Sequence, residues 1–228
     1  MINMVKARIR KIIQETPDVK TFILELDENM DFKAGQFVMA EIPEDKFNQK
    51  IPPKPFSIAN APNDKYEMRL IIKIQPDGAF SPYLDKLKVG DELGVKGPYG
   101  RFTLERGESK EVTLIGAGTG IAPIRGIMEF ALKNKIKVNL FYCDKTEEHL
   151  ININEFDNLS KEINAKIFVT REKNSKRICR YIEKEDLKNT TKQGLFFVCG
   201  PPTFVNKKVE ILESLGIKEN QIKTERYG

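Results

Sequence analysis

Residues 112–132 read VTLIGAGTGIAPIRGIMEFAL. The opening Val112–Ile115 is a short apolar run of the kind that forms a buried strand. Gly116-Ala117-Gly118-Thr119-Gly120 interrupts it, and the residues beyond predict a helix over Pro123–Lys133. Pro123 suits a first helical turn, where no backbone N–H is missed. Glycines between a strand and a helix let the backbone turn sharply and approach a pyrophosphate. The start of the helix then offers unpaired N–H groups and a partial positive charge. The spacing is GxGxGxxP, not the GxGxxG form followed by an acidic residue on the second strand. A tight structural turn would use the same glycines, so the loop alone does not decide the function.

Toward the C-terminus, further strand-like runs begin near Val138, Ile167, Phe196 and Ile222. Helical patterns lie between them at Asn152–Glu162 (the weaker one), Arg180–Leu187 and Thr203–Leu215. Strands alternating with helices predict βαβ units on a parallel sheet. The run Leu195–Val198 ends in Cys199-Gly200-Pro201-Pro202. Ligands of open parallel sheets bind at the carboxyl ends of strands, so Cys199 is expected beside the glycine loop. By itself, Cys199 reads equally well as a buried core thiol.

Toward the N-terminus the period changes. Strands are predicted at Lys6–Ile13, Thr21–Leu26, Gln36–Ile42, Tyr66–Ile74 and Glu92–Val95. Turn signals separate them at Asp31–Gly35, Pro62–Asp64, Pro76–Gly78 and Val89–Asp91. Many short strands and little helix predict a small antiparallel barrel. The expected division is a barrel over residues 1–106 and an α/β domain over 107–228. The boundary falls in the charged stretch ERGESK, residues 105–110.

Composition narrows the chemistry. Cys143, Cys179 and Cys199 have no paired spacing, which argues against an iron–sulfur cluster, a zinc site or a disulfide framework in this chain. The one histidine, His149, reads as a solvated residue in a polar run, so histidine-based catalysis has little support. No metal site is expected. No run approaches the ~20 apolar residues of a membrane helix, and the charged N-terminus lacks the form of a secretory signal. A cytoplasmic location is therefore expected, without membrane or nucleic-acid partners. Residues 1–108 hold 17 basic and 17 acidic residues, so the whole net charge of +5 belongs to the second half. Within 166–180, six basic residues face only Glu172.

Taken in order, the motifs resemble those of the ferredoxin–NADP reductase superfamily over nearly the whole chain. They are Lys54-Pro55-Phe56-Ser57 for RxYS, Gly78-Ala79-Phe80-Ser81 for GxxS, Gly97–Phe102 for GPxGxF, then GAGTGIAP and CGPP. The resemblance implies a flavin-binding barrel followed by a pyridine-nucleotide domain. Phe56 would pack on the flavin ring and Ser57 would bond near flavin N5. Backbone groups of Gly78, Ala79, Phe80 and Ser81 would hold the FAD pyrophosphate. Gly118, Thr119 and Gly120 would cradle the dinucleotide, Gly200 and Pro201 would also bind it, and Thr119 and Cys199 would flank the nicotinamide ring. Lys54 replaces the family's Arg and cannot form a bidentate fork. Phe56 replaces the family's Tyr and lacks its hydroxyl. Both changes would loosen FAD.

Residues 167–182, IFVTREKNSKRICRYI, resemble the segment that receives the 2′-phosphate of NADP. Thr170 and Arg171 fit the Ser/Thr-Arg pair. Lys176, Arg177, Arg180 and Tyr181 are later candidates, and Lys145 could add charge. NADP(H) is therefore expected, with NAD(H) possible. Near the end, Tyr227 would cover the flavin face and Glu225 would relay a proton or hold the nicotinamide. Some relatives continue past a similar run into an iron–sulfur segment. The function implied is an FAD-dependent reductase exchanging electrons between NADP(H) and a one-electron carrier of ferredoxin or flavodoxin type. The alternatives are an NAD(H)-using electron-transfer subunit of a dihydroorotate dehydrogenase or sulfhydrogenase assembly, and an NAD(P)H:flavin reductase. Catalytic candidates are Ser57, Cys199 and Glu225.

Overall fold

The computed structural model describes residues 4–63, 65–190 and 192–227. Asp64, in one of the expected turns, lies outside the described residues, as does Gly228.

The first half is an antiparallel six-stranded sheet. Its strands are β1 (Met4–Thr16), β2 (Val19–Leu26), β3 (Phe37–Glu41), β4 (Lys54–Ser57), β5 (Glu67–Lys73) and β6 (Glu92–Tyr99). The order is β4-β3-β6-β1-β2-β5. The two edges meet at one antiparallel bridge, Ile58 with Leu70, and the Ala59 N–H donates to the Arg69 carbonyl at 2.8 Å. The expected barrel thus closes through a single bridge rather than a continuous ladder. Alternating inward residues such as Ala7, Ile9, Phe22, Leu24, Leu70 and Ile72 fill its interior. Two one-turn helices, α1 (Glu44–Phe47) and α2 (Ser81–Leu84), were not anticipated, nor was strand β4.

The second half is a parallel five-stranded sheet with helices on both faces. Its strands are β7 (Glu111–Ala117), β8 (Lys137–Asp144), β9 (Asn164–Val169), β10 (Leu195–Gly200) and β11 (Ile222–Arg226). The helices are α3 (Ile121–Lys133), α4 (Ile153–Asn158), α5 (Lys184–Leu187) and α6 (Pro202–Ser214). The order β11-β10-β7-β8-β9 places the carboxyl ends of β7 and β10 side by side. Strands covered on both faces read as continuous apolar runs, as in Leu140–Cys143. The helix expected over Arg180–Leu187 forms only at 184–187. Upstream, Ile178 bridges Phe168 and the Arg180 side chain is tied to Asp186, which holds the chain extended.

The two halves share apolar packing. Val19, Ala34, Ala59, Ile71, Phe102 and Leu104 belong to the same buried cluster as Ile124, Ile127 and Met128 of α3. Phe102 meets Phe197 edge-on, with ring centroids 5.3 Å apart. The face where the two sheets meet is where the sequence motifs converge.

Candidate functional site

Four of the expected residues come together between the end of β4 and the carboxyl ends of β10 and β11. In-register pairing sets Cys199 beside Glu225. The Tyr227 N–H donates to the Gly200 carbonyl at 2.9 Å, which extends the parallel pairing of β10 and β11 by one bond and holds Tyr227 at the end of the sheet. The Tyr227 hydroxyl then hydrogen-bonds the Ser57 hydroxyl across the domain boundary. Burial pushes the Glu225 carboxyl up to about 7, against a smaller lowering by the Ser57 hydroxyl. Burial also pushes the Cys199 thiol well above its ordinary range, and the nearby Glu225 charge adds to the effect. Cys199 therefore stays a neutral thiol at physiological pH. Glu225 Oε2 is buried without a hydrogen-bond partner among the described residues. Such an atom is costly to leave unpaired and marks where a ligand donor fits.

The glycine loop forms one 3-10 turn, Gly118–Gly120, between β7 and α3. A Cβ at Gly120 would lie 2.5 Å from the Cys199 carbonyl oxygen, so only glycine lets the loop close onto the end of β10. This is why Thr119, Cys199, Gly200 and Pro201 share one end of the sheet. Asp144, at the end of β8, was not anticipated. A Cβ on Gly118 would stand 3.8 Å from Asp144 Oδ2, which places the carboxylate at the loop. Burial pushes the Asp144 carboxyl above its ordinary range, opposed by the Lys145 N–H and the charges of His149 and Lys145. His149 is half-buried, and its Nδ1 bonds the Thr146 hydroxyl at 2.7 Å; it is not the solvated residue expected.

The basic segment is arranged differently from the expectation. Arg177 is held by both oxygens of Asp157 at 2.7 and 2.6 Å, and Arg180 by both oxygens of Asp186 at 2.6 and 2.8 Å. A phosphate would have to break these bidentate pairs to recruit either guanidinium. The Thr170 hydroxyl donates to the Asp144 carbonyl at 3.3 Å. Arg171, Lys173 and Lys176 are exposed and form no ion pair among the described residues.

On the barrel side, Phe56 is half-buried with its ring 5.6 Å from that of Phe80, while Lys54 and Pro55 are exposed on the edge strand. The Ser81 hydroxyl donates to the Gln75 carbonyl at 3.2 Å and accepts the Gln75 N–H at 2.9 Å. It shapes its own loop rather than facing outward. Gly78 N–H is likewise used, donating to Gln75 at 2.9 Å. The N–H groups of Ala79, Phe80 and Ser81 have no hydrogen-bond partner among the described residues. They are the groups free to take a pyrophosphate, and with the half-buried Phe56 face they fit FAD.

Residues 6–104 match the oxidoreductase FAD-binding domain and residues 114–209 the oxidoreductase NAD-binding domain. The chain is similar to the probable dihydroorotate dehydrogenase B (NAD(+)) electron transfer subunit of Methanocaldococcus jannaschii. The two are 31% identical over 96% of this chain and 77% of that protein. It is also similar to NADH-cytochrome b5 reductase 2 of Yarrowia lipolytica, 35% identical over 66% of this chain, and spans 56% of that protein's length. Among solved structures it resembles a ferredoxin NADP+ reductase from Neisseria gonorrhoeae with bound FAD and NADP. That likeness has a TM-score of 0.83 and 24% identity, and covers 98% of each chain.

Proposed function

For a chain that belongs to the ferredoxin–NADP reductase superfamily of FAD- and NAD-binding oxidoreductases, we propose the role of an electron-transfer reductase. It moves a hydride between NAD(H) and FAD and passes electrons to or from a one-electron carrier or partner subunit. The observation that carries this reading is the meeting of Ser57 with Glu225, Cys199 and Tyr227 at the mouth of the glycine loop. FAD, when bound, supplies the conversion between hydride and single-electron chemistry. The chain's own work is orientation and proton control. Cys199, a neutral thiol, offers a soft wall against the nicotinamide. The unpaired Glu225 Oε2 is free to accept a hydrogen bond from the carboxamide. Near neutral pH Glu225 exchanges a proton, with the Ser57 hydroxyl as its neighbour. Tyr227 lies over Ser57 and must move aside for the ring to approach.

The choice of dinucleotide rests on Asp144. A carboxylate at the glycine loop accepts hydrogen bonds from a ribose 2′-hydroxyl and repels a 2′-phosphate. Arg177 and Arg180, expected to bind that phosphate, are held by Asp157 and Asp186 instead. The exposed Arg171, Lys173 and Lys176 support NADP(H) as the second reading. Anaerobic titration of the FAD-loaded protein with NADH and NADPH tests both. Bleaching at much lower NADH than NADPH supports the first. Asp144→Ser should then narrow the preference by about tenfold or more, an energy near 1.4 kcal/mol. Bleaching by NADPH at lower concentration overturns the choice, and no bleaching by either overturns the function.

A further inference from the structure

Arg125 lies early in α3, on the face that carries Ile121 and Met128, and is only 5% exposed. A guanidinium leaves water only where other groups replace the water. Its partners come from three segments. Glu155 on α4 accepts from Nε and Nη2 at 2.8 and 2.7 Å, and Glu129 accepts from Nη1 at 3.2 Å. The Ala59 carbonyl accepts from Nη1 at 2.5 Å. Ala59 is a barrel residue two positions after Ser57. Glu129 reaches the same segment, accepting the Ala61 N–H at 3.3 Å.

Gly126 gives an independent observation. A Cβ there would lie 2.9 Å from the Ile58 carbonyl oxygen and 3.1 Å from that of Asn60. The backbone of α3 therefore rests on the carbonyls of Ile58 and Asn60, while the guanidinium takes the carbonyl between them. Helix α3 follows directly on the glycine loop. One rigid element thus links the dinucleotide loop at its start to the Ser57 segment along its side.

We propose that Arg125 is a positioning residue that fixes the Ser57–Ala61 segment against α3 and so sets the Ser57 hydroxyl relative to the dinucleotide loop, Cys199 and Glu225. It touches none of the reacting atoms; it acts through the Ala59 carbonyl. Reactions that depend on alignment lose rate steeply when a positioning contact loosens, while the loop that binds the dinucleotide is unchanged.

The kinetic part rests on the hydride-transfer reading above, so two measurements are paired. The first is amide hydrogen exchange of the FAD-free protein, which needs no turnover. In Arg125→Met, the Ile58 and Ala59 amides should exchange about tenfold faster or more, with β7 and β10 amides unchanged. The second is rapid mixing of the FAD-loaded proteins with an NADH series. Arg125→Met should lower the limiting rate of flavin bleaching by about tenfold or more, with less than about a twofold change in half-saturating NADH. Arg125→Lys, which keeps the charge and one donor, should recover part of that rate. Unchanged exchange at Ile58 and Ala59 overturns the clamp, as does a wild-type limiting rate in folded Arg125→Met. If Arg125→Met does not fold, Arg125→Lys serves alone, and a wild-type limiting rate with wild-type exchange again overturns it. Wild-type protein that neither dinucleotide bleaches overturns the hydride-transfer reading, while exchange still decides the clamp.

Discussion

Burial raises the Glu225 carboxyl from 4.5 to about 7, and this has a consequence for stability. Below pH 4.5 the carboxyl is protonated in both folded and unfolded chains. As pH rises toward 7, the folded chain keeps a proton that the unfolded chain gives up. The contribution is therefore fully present below pH 4.5 and is lost as pH rises through about 7, at most about 3 kcal/mol across the window. Glu225→Gln should remove this slope, read from urea unfolding of the FAD-free protein at pH 4.5 and 7.5. Equal slopes in both proteins would show that Glu225 titrates normally. Gly120 makes a purely steric prediction. A Cβ there meets the Cys199 backbone at 2.5 and 2.6 Å, which no side-chain rotation relieves. Gly120→Ala should destabilise the fold by about 1–3 kcal/mol, seen as a lower urea midpoint.

Strand β11 carries Glu225, and Tyr227 follows directly on its last residue, Arg226, so this short strand determines what reaches Ser57. On the proposed function, the nicotinamide would approach from the side that the Tyr227 hydroxyl holds, and displacing that hydroxyl breaks its bond to Ser57. Tyr227→Ser should tighten dinucleotide binding by about tenfold, worth 1.4 kcal/mol, as measured by titrating the oxidised FAD-loaded protein with NAD+. Weaker binding would mean that Tyr227 supports the ring instead of competing with it. Elements with a clear apolar period, such as α3, α6, β7, β8 and β10, were legible in the sequence. Strand β4 was not, because Lys54 and Pro55 break the alternation and Pro55 is tolerated only because the strand is an edge. The start of α5 is Lys184 and not the expected Arg180, because helical spacing there lost to the Arg180–Asp186 pair and the Ile178 bridge. Ser57, Cys199 and the glycine loop were legible as ordered motifs. Asp144, Glu155 and the role of Arg125 were not, since their meaning arises from contacts between segments far apart in the chain. The one local signal was a charged residue on the apolar face of α3.

Across the whole molecule, the two halves are joined by more than their linker. Glu15 of the first accepts from the Asn152 N–H and Nδ2 of the second at 3.2 and 3.1 Å, and Lys223 Nζ donates to the Thr103 carbonyl at 2.8 Å. With the shared apolar cluster, this predicts a single unfolding transition in which far-UV circular dichroism and tyrosine absorbance coincide. Two separated transitions would show that the interface contributes little. Among the described residues, no helix is long and apolar enough to cross a membrane. The contacts made by α3 differ from the Glu15–Asn152 contact in one respect. Arg125 and Glu129 grip only main-chain atoms of the barrel, the Ala59 carbonyl and the Ala61 N–H. Any amino acid offers that carbonyl, and any but proline that N–H. All the side-chain identity this grip requires therefore lies on the nucleotide half, so a barrel with other residues at 59 and, proline apart, at 61 would still present both main-chain partners.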